Sequence, residues 1–115
     1  MRSSLDSLLV CGGRNYSDRD HAWGILTILD PQRIICGGAP GADSIAIEWA
    51  ESWQIITTVY PADWDTHGKA AGPIRNQQMI DLETADLVLA FPGGRGTEDM
   101  IRRAKNAGIP VLRVD

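Results

Sequence analysis

The feature that most constrains this chain is a rhythm of short apolar runs, each closed by a turn and followed by a longer stretch with helical spacing. Repeated from end to end, that rhythm builds βαβ units, because a strand lying parallel to its predecessor needs a crossover helix to bring the chain back. Five strands are expected, at residues 7–11, 33–36, 54–60, 86–91 and 110–114. Four helices fall between them. The first is capped by Ser17, with Asp20 three residues on, and stopped by Pro31. The second, over residues 42–53, carries Ile45, Trp49 and Trp53 at spacing four on one face. The third, over 74–82, is opened by Pro73, and the fourth, over 97–106, is stopped by Gly108. The expected fold class is α/β, a Rossmann-like three-layer fold with a central, mainly parallel five-stranded sheet. Residues 61–72, PADWDTHGKAAG, have no periodicity and are expected to form the longest loop.

At 115 residues the chain has room for one compact domain, and residues 1–115 are read as one. Hydrophobic residues at 43% and charged residues at 23% are enough for a packed core. A net charge of −4 has the wrong sign for a protein held to DNA or RNA by non-specific phosphate contacts, so nucleic acid is disfavoured as a partner. No apolar run approaches the roughly 20 residues of a membrane span. Asp6 and Ser7 interrupt what would be the apolar core of a signal peptide, so a cytoplasmic location without a membrane partner is expected. Cys11 and Cys36 are too few for a disulfide scaffold, and no Cys or His cluster has zinc spacing, so no metal is expected. Each cysteine precedes a Gly-Gly pair on what should be neighbouring strands, and both are read as small buried thiols.

Where strands are parallel, the loops that follow them emerge at one edge of the sheet, and ligands bind there where the strand order reverses. Gly12 and Gly13, then Gly37, Gly38 and Gly41, then Gly93, Gly94 and Gly96 make up most of the chain's 12 glycines, and each cluster stands just before an expected helix. Glycine lets backbone approach a ligand closely, and a helix start offers unpaired N–H groups with a partial positive charge. One such turn is as readily explained by turn geometry alone; three at one edge point to phosphate. None has the spacing of the dinucleotide fingerprint or of a P-loop, which weakens the ordinary NAD and ATP readings, and no cofactor is expected.

Four segments occur together and in this order: GGRNYSD at residues 12–18, GGAPGAD at 37–43, GPIRNQQM at 72–79 and PGGRGT at 92–97. In these the chain resembles the small SLOG-superfamily domains related to YspA and YpsA, over almost its whole length. The superfamily also includes the LOG phosphoribohydrolases, which remove the base from cytokinin nucleotides, and the SMF/DprA proteins, which bind single-stranded DNA. The resemblance implies a Rossmann-like sheet and a nucleotide-type ligand at the glycine loops. Pro92, Gly93, Gly94, Gly96 and Thr97 match the LOG motif that holds the ligand phosphate. The catalytic glutamate of that motif falls at Met100 here, and a thioether cannot accept a proton. Glu98 and Asp99, just before it, are the acids left to assist departure of a base; otherwise they simply favour the helix dipole. Arg75, with Asn76 beside it and Met79 four residues on, resembles the stretch whose arginine is catalytic in LOG enzymes. An ion pair to Asp43 or Glu98 is its alternative role.

Asp43 is equally a helix-capping residue or an acceptor for ribose hydroxyls. Arg14 is placed to contact a phosphate from the first loop. Trp64 sits in the long loop, where no helical stripe accounts for it, and could stack on a base; Lys69 could meet a phosphate, and His67 is the loop's other titratable group. Trp23, Trp49 and Trp53 are read as packing residues, and their number leaves room for a homo-oligomer. The expected function is binding of a nucleotide or nucleotide-derived ligand, a nucleoside phosphate or an ADP-ribose-like molecule. A LOG-like phosphoribohydrolase is the alternative, with a DprA-like DNA-binding module behind it.

Overall fold

Strand β1 (Ser7–Cys11), with the sequence SLLVC, is buried along its whole length, as an apolar run must be when helices cover both faces of a sheet. In the computed structural model, which describes residues 5–115, it is the middle strand of five. The reading of the amino terminus as unlike a signal peptide rests in part on residues 1–4, which lie outside the described residues. The others are β2 (Arg33–Cys36), β3 (Ile56–Val59), β4 (Leu87–Ala90) and β5 (Val111–Arg113). They run in the order β3-β2-β1-β4-β5, and every pairing is parallel. The α/β Rossmann-like fold is therefore present.

Alternation along β1 divides the core into two layers. Leu8 and Val10 pack with Leu26, Ala46, Trp49 and Phe91 under α1 (Arg19–Leu29) and α2 (Ala42–Ser52). Leu9 and Cys11 pack with Met79, Met100, Ile101 and Ala104 under α4 (Ala71–Leu82) and α5 (Arg95–Asn106). Each Leu, Ile or Val so buried contributes about 1.5–3 kcal/mol, which makes β1 the costliest strand to disturb. The chain adds β2 and β3 on one side of β1, then crosses back to add β4 and β5 on the other. The strand order thus reverses between β1 and β4, and the helices that follow these two strands, α1 and α5, depart to opposite faces of the sheet, which sets a crevice at the strands' carboxyl ends.

Local chemistry moves several boundaries. The cap of α1 is Asp18 rather than Ser17: its carboxylate accepts from the His21 N–H at 3.2 Å. That leaves no box of the expected kind between Ser17 and Asp20. Asp30, in the left-handed conformation, ends the helix ahead of Pro31. Residues 61–72 are not a plain loop. Asp63 caps a single helical turn, α3 (Trp64–His67), through a bond from the Thr66 N–H, and a 3-10 turn (Gly68–Ala70) runs straight into α4. One turn is too short to show a hydrophobic period, which is why the sequence reads as irregular there. The early start makes Pro73 the third residue of α4, where its missing N–H still falls among amides that have no helical acceptor. Helix α5 likewise starts at Arg95, two residues before the expected Thr97. Trp53 lies just past the end of α2 and is 61% exposed, while Ile45 and Trp49 are buried. The β1–β2 register pairs Leu9 with Ile35, so Cys36 is level with Val10 and out of phase with Cys11. The two thiols therefore project from opposite faces of the sheet, and burial pushes each up to about 12. Among the described residues, no helix is long and apolar enough to cross a membrane.

Candidate functional site

The loops after β1, β2 and β4 meet at the crevice. The Gly13 N–H donates to the Pro92 carbonyl at 2.9 Å, and the Gly13 carbonyl accepts from the Ala42 N–H at 3.2 Å, which ties all three loops together. This crossing is tight enough to dictate residue type. A methyl carbon at Gly12 would lie 2.5 Å from the Ala42 Cβ and 2.8 Å from the Phe91 Cβ, and one at Gly13 would lie 2.9 Å from the Pro92 carbonyl oxygen. At Gly93 it would strike the Gly13 nitrogen at 2.6 Å, and at Gly41, whose φ is +83°, it would run into the Gly13 carbonyl. At Gly37 the same space is filled by the Arg75 guanidinium. Gly94 and Gly96 differ: nothing stands within 4 Å of a methyl carbon at either position.

Above this crossing lies a cavity of about 1180 Å³. Gly12, Gly13 and Arg14 line it from the β1 loop, and Gly37, Gly38 and Asp43 from the β2 side. Gly93, Gly94, Gly96 and Thr97 line it from the β4 loop and the first turn of α5, with Glu98 and Asp99 beyond them. Trp64 of α3 and Lys69 of the 3-10 turn line it on a further side, with Arg75 and Asn76 from α4. Gly41 and Pro92 do not line it; they stand behind the wall and hold the loops in place. His67 is exposed and also outside the lining.

Asp43 is 6% exposed. One carboxylate oxygen, Oδ2, accepts from the Gly37 and Ala39 N–H groups at 3.2 Å each; the other, Oδ1, has no partner among the described residues. Burial raises its pKa to about 6, against the opposing pull of the Ala39 amide and of Arg75. Arg75 donates through Nη1 to the Gly37 carbonyl at 3.1 Å and the Tyr60 carbonyl at 3.3 Å, and through Nε to Asn76 Oδ1 at 3.1 Å. Among the described residues it makes no ion pair, with Asp43, Glu98 or any other acid. Its charge is positioned by carbonyl oxygens, near enough to Asp43 to be felt there but without a direct ion pair.

The acids of α5 are engaged elsewhere. Asp99 accepts from Arg102 at 2.6 Å, Arg103 at 2.8 Å and Asn76 Nδ2 at 3.0 Å. Burial alone would raise its pKa, but the Arg103 and Asn76 bonds override that and hold it below the usual carboxylate range. Glu98 pairs with Arg113 at 2.8 Å on the surface. Met100 is fully buried against the sheet, so its position in α5 points into the core and not into the cavity. Asn76, buried, also donates to the Gly96 carbonyl at 3.2 Å, which fixes the α5 turn against α4.

Trp64 is 56% exposed and its ring lies over Gly72. Several lining residues escaped the sequence reading, and among them Arg95 stands out. Arg95, the first residue of α5, is exposed on the cavity and has no partner among the described residues. It occupies the variable place within PGGRGT, where nothing in the sequence separates it from an ordinary surface arginine.

Comparison with known proteins adds three findings. A family described as the YspA, cpYpsA-related SLOG family matches residues 7–67. Gene 61 protein of Mycobacterium phage D29 is 40% identical over 117 residues, covering 91% of this chain and 93% of that protein. Among solved structures, the C-terminal domain of a hydrogenase from Pyrococcus furiosus superposes with a TM-score of 0.52 at 15% identity, covering 96% of this chain and 92% of that one, a likeness of fold.

Proposed function

The chain belongs to the YspA, cpYpsA-related SLOG family, and from that premise we propose that it binds a nucleotide or nucleotide-derived ligand in the cavity at the carboxyl edge of its sheet. The observation that carries this reading is the Asp43 carboxylate, buried at the cavity wall with one oxygen held by two backbone amides and the other unpartnered. A buried acceptor left without a donor costs about 1–3 kcal/mol, and a small turn of the carboxylate towards the cavity would let a ribose hydroxyl remove that cost. Gly94 and Gly96, where no neighbour needs the space, leave the first turn of α5 open to a phosphate, with the helix N–H groups facing it. Arg75 supplies a fixed positive charge, and Trp64 an exposed aromatic face for the base.

Magnitudes favour a ligand with all three parts. Charge-assisted hydrogen bonds contribute about 1.5–3 kcal/mol each, while micromolar affinity needs about 8 kcal/mol after association has been offset. Stacking of about 1–3 kcal/mol per base, with the ribose contact, closes much of that gap. A nucleoside phosphate or ADP-ribose-like molecule therefore fits better than free phosphate.

The second reading, a LOG-like phosphoribohydrolase, has Arg75 in its favour. It lacks a free carboxylate at the end of the motif, because Asp99 is held by two arginines and Glu98 by a third. Incubating the protein with a panel of nucleoside phosphates, NAD and ADP-ribose, then separating retained from released species by mass spectrometry, decides between them. Intact ligand retained at one-to-one stoichiometry, and lost in Gly94→Val, is the expected result. Free base and ribose phosphate, lost in Arg75→Ala, would make the protein a hydrolase. A salt-sensitive shift of single-stranded oligonucleotides would instead place it with the DNA-binding members.

A further inference from the structure

Arg95 stands at the amino end of α5, where the helix dipole disfavours a cation. Its natural partners would be acids three and four residues on, and Glu98 and Asp99 occupy those places. Neither pairs with it: Glu98 reaches Arg113, and Asp99 is taken by Arg102 and Arg103. Arg14, across the crevice, is also exposed and without a partner among the described residues. The backbone brings the two arginines to one place, because Gly13 and Gly93 are in direct contact, the former just before Arg14 and the latter two residues before Arg95. Both line the cavity, in a chain whose net charge is −4.

We infer that Arg14 and Arg95 form a second anion subsite across the β1/β4 crevice, beside the open first turn of α5, and that it selects ligands carrying a further phosphoryl group beyond the one bound at that turn. The inference rests on the nucleotide reading above and narrows it from nucleotides in general to those with two or more phosphates. The helix start does not stand alone as the sign of a ligand: Asp43, more than nine-tenths buried and with Oδ1 unpartnered, lines the same cavity. A single phosphate at the α5 turn is served by the backbone amides there. Arg95 opens that turn and Arg14 lines the cavity from the β1 loop, so a second phosphoryl group linked to the first would come between them. Guanidinium suits this role because its fork can take two oxygens of one phosphate.

The test compares affinities by titration calorimetry at fixed ionic strength for nucleoside 5′-monophosphates, the matching diphosphates, inorganic phosphate and inorganic pyrophosphate. Wild-type protein and Arg14→Gln/Arg95→Gln are used; both positions are exposed, so the variant keeps its fold, which circular dichroism checks. The best-bound diphosphate is expected to bind at least about tenfold more tightly than its monophosphate. In the double variant that ratio is expected to fall towards one, the loss of affinity falling mainly on the diphosphate. Equal wild-type affinity for mono- and diphosphates, or a ratio unchanged in the variant, overturns the subsite and leaves the nucleotide reading standing. Pyrophosphate bound and then lost in the variant, with every nucleotide failing to bind, keeps the subsite and overturns the nucleotide reading. Failure of all four ligand classes overturns both.

Discussion

The glycines at the crossing of the loops and the glycines at the start of α5 look alike in sequence and do opposite things in the fold. Gly12, Gly13, Gly41 and Gly93 are needed because another part of the chain occupies the space a side chain would take. Gly94 and Gly96 are needed by nothing in the described chain. The first group closes the crevice and holds three loops in register. The second keeps the wall of a cavity bare. The difference teaches that a glycine-rich motif is a mixture of folding and recognition roles, and that sterics sort one from the other.

The largest expected effect is at the crossing. Gly41→Ala would place a methyl group against the Gly13 carbonyl at a positive φ, and should cost about 3 kcal/mol or more. Chemical denaturation reads it directly; a loss below about 1 kcal/mol would mean that the crossing is soft and the comparison fails. Met100→Glu should come next, on the order of 3 kcal/mol, because it puts a carboxylate into the dry layer under α5. A thermal melt close to wild type would show that position 100 can turn to the cavity, and would reopen the hydrolase reading.

Asp43 provides a comparison along the pH axis. Its folded pKa, about 6, lies above the ordinary carboxylate value, so the folded state holds its proton over a range where the unfolded chain has lost it. Stability contributed by this group is full below about pH 4 and is lost as pH rises to about 6, amounting to about 3 kcal/mol by the usual linkage. In Asp43→Asn the same interval should be flatter. Identical pH profiles for variant and wild type would show that Asp43 is solvated, and would remove the argument from its unpartnered oxygen. The smallest effect on stability, and the sharpest contrast, is Gly96→Ala. With open space around it in the first turn of a helix, alanine should stabilise by about 0.5–1 kcal/mol while weakening nucleotide binding. A variant both more stable and equally able to bind would show that Gly96 does not face the ligand.

Much of this was legible in the chain itself. The apolar runs announced the strands because a strand covered on both faces must be mostly apolar, and β1 and β2 fall where the runs do. The turn at Trp64–His67 was not legible, since four residues hold no repeat of the helical period. Asp18 was hidden beside Ser17, as both are cap residues and only the hydrogen bond to His21 distinguishes them. For the site, the positions of Arg75, Asp43 and the α5 glycines were marked by their motifs. The engagement of Glu98 was not, because its partner Arg113 comes from β5; Asp99 has Arg102 and Arg103 at helical spacing, and only its bond from Asn76 depends on another element.

By itself the sequence determined the parallel architecture and the side of the sheet on which chemistry would collect. Periodicity and strand-to-helix order are local properties, and a parallel sheet sends every following loop to one edge. Only the tertiary structure decided which glycines are filled by neighbours, which acids are already paired and which arginines remain free. Apart from the pairs of Asp99 within α5, those are distances between residues far apart in the chain, and no local pattern encodes them.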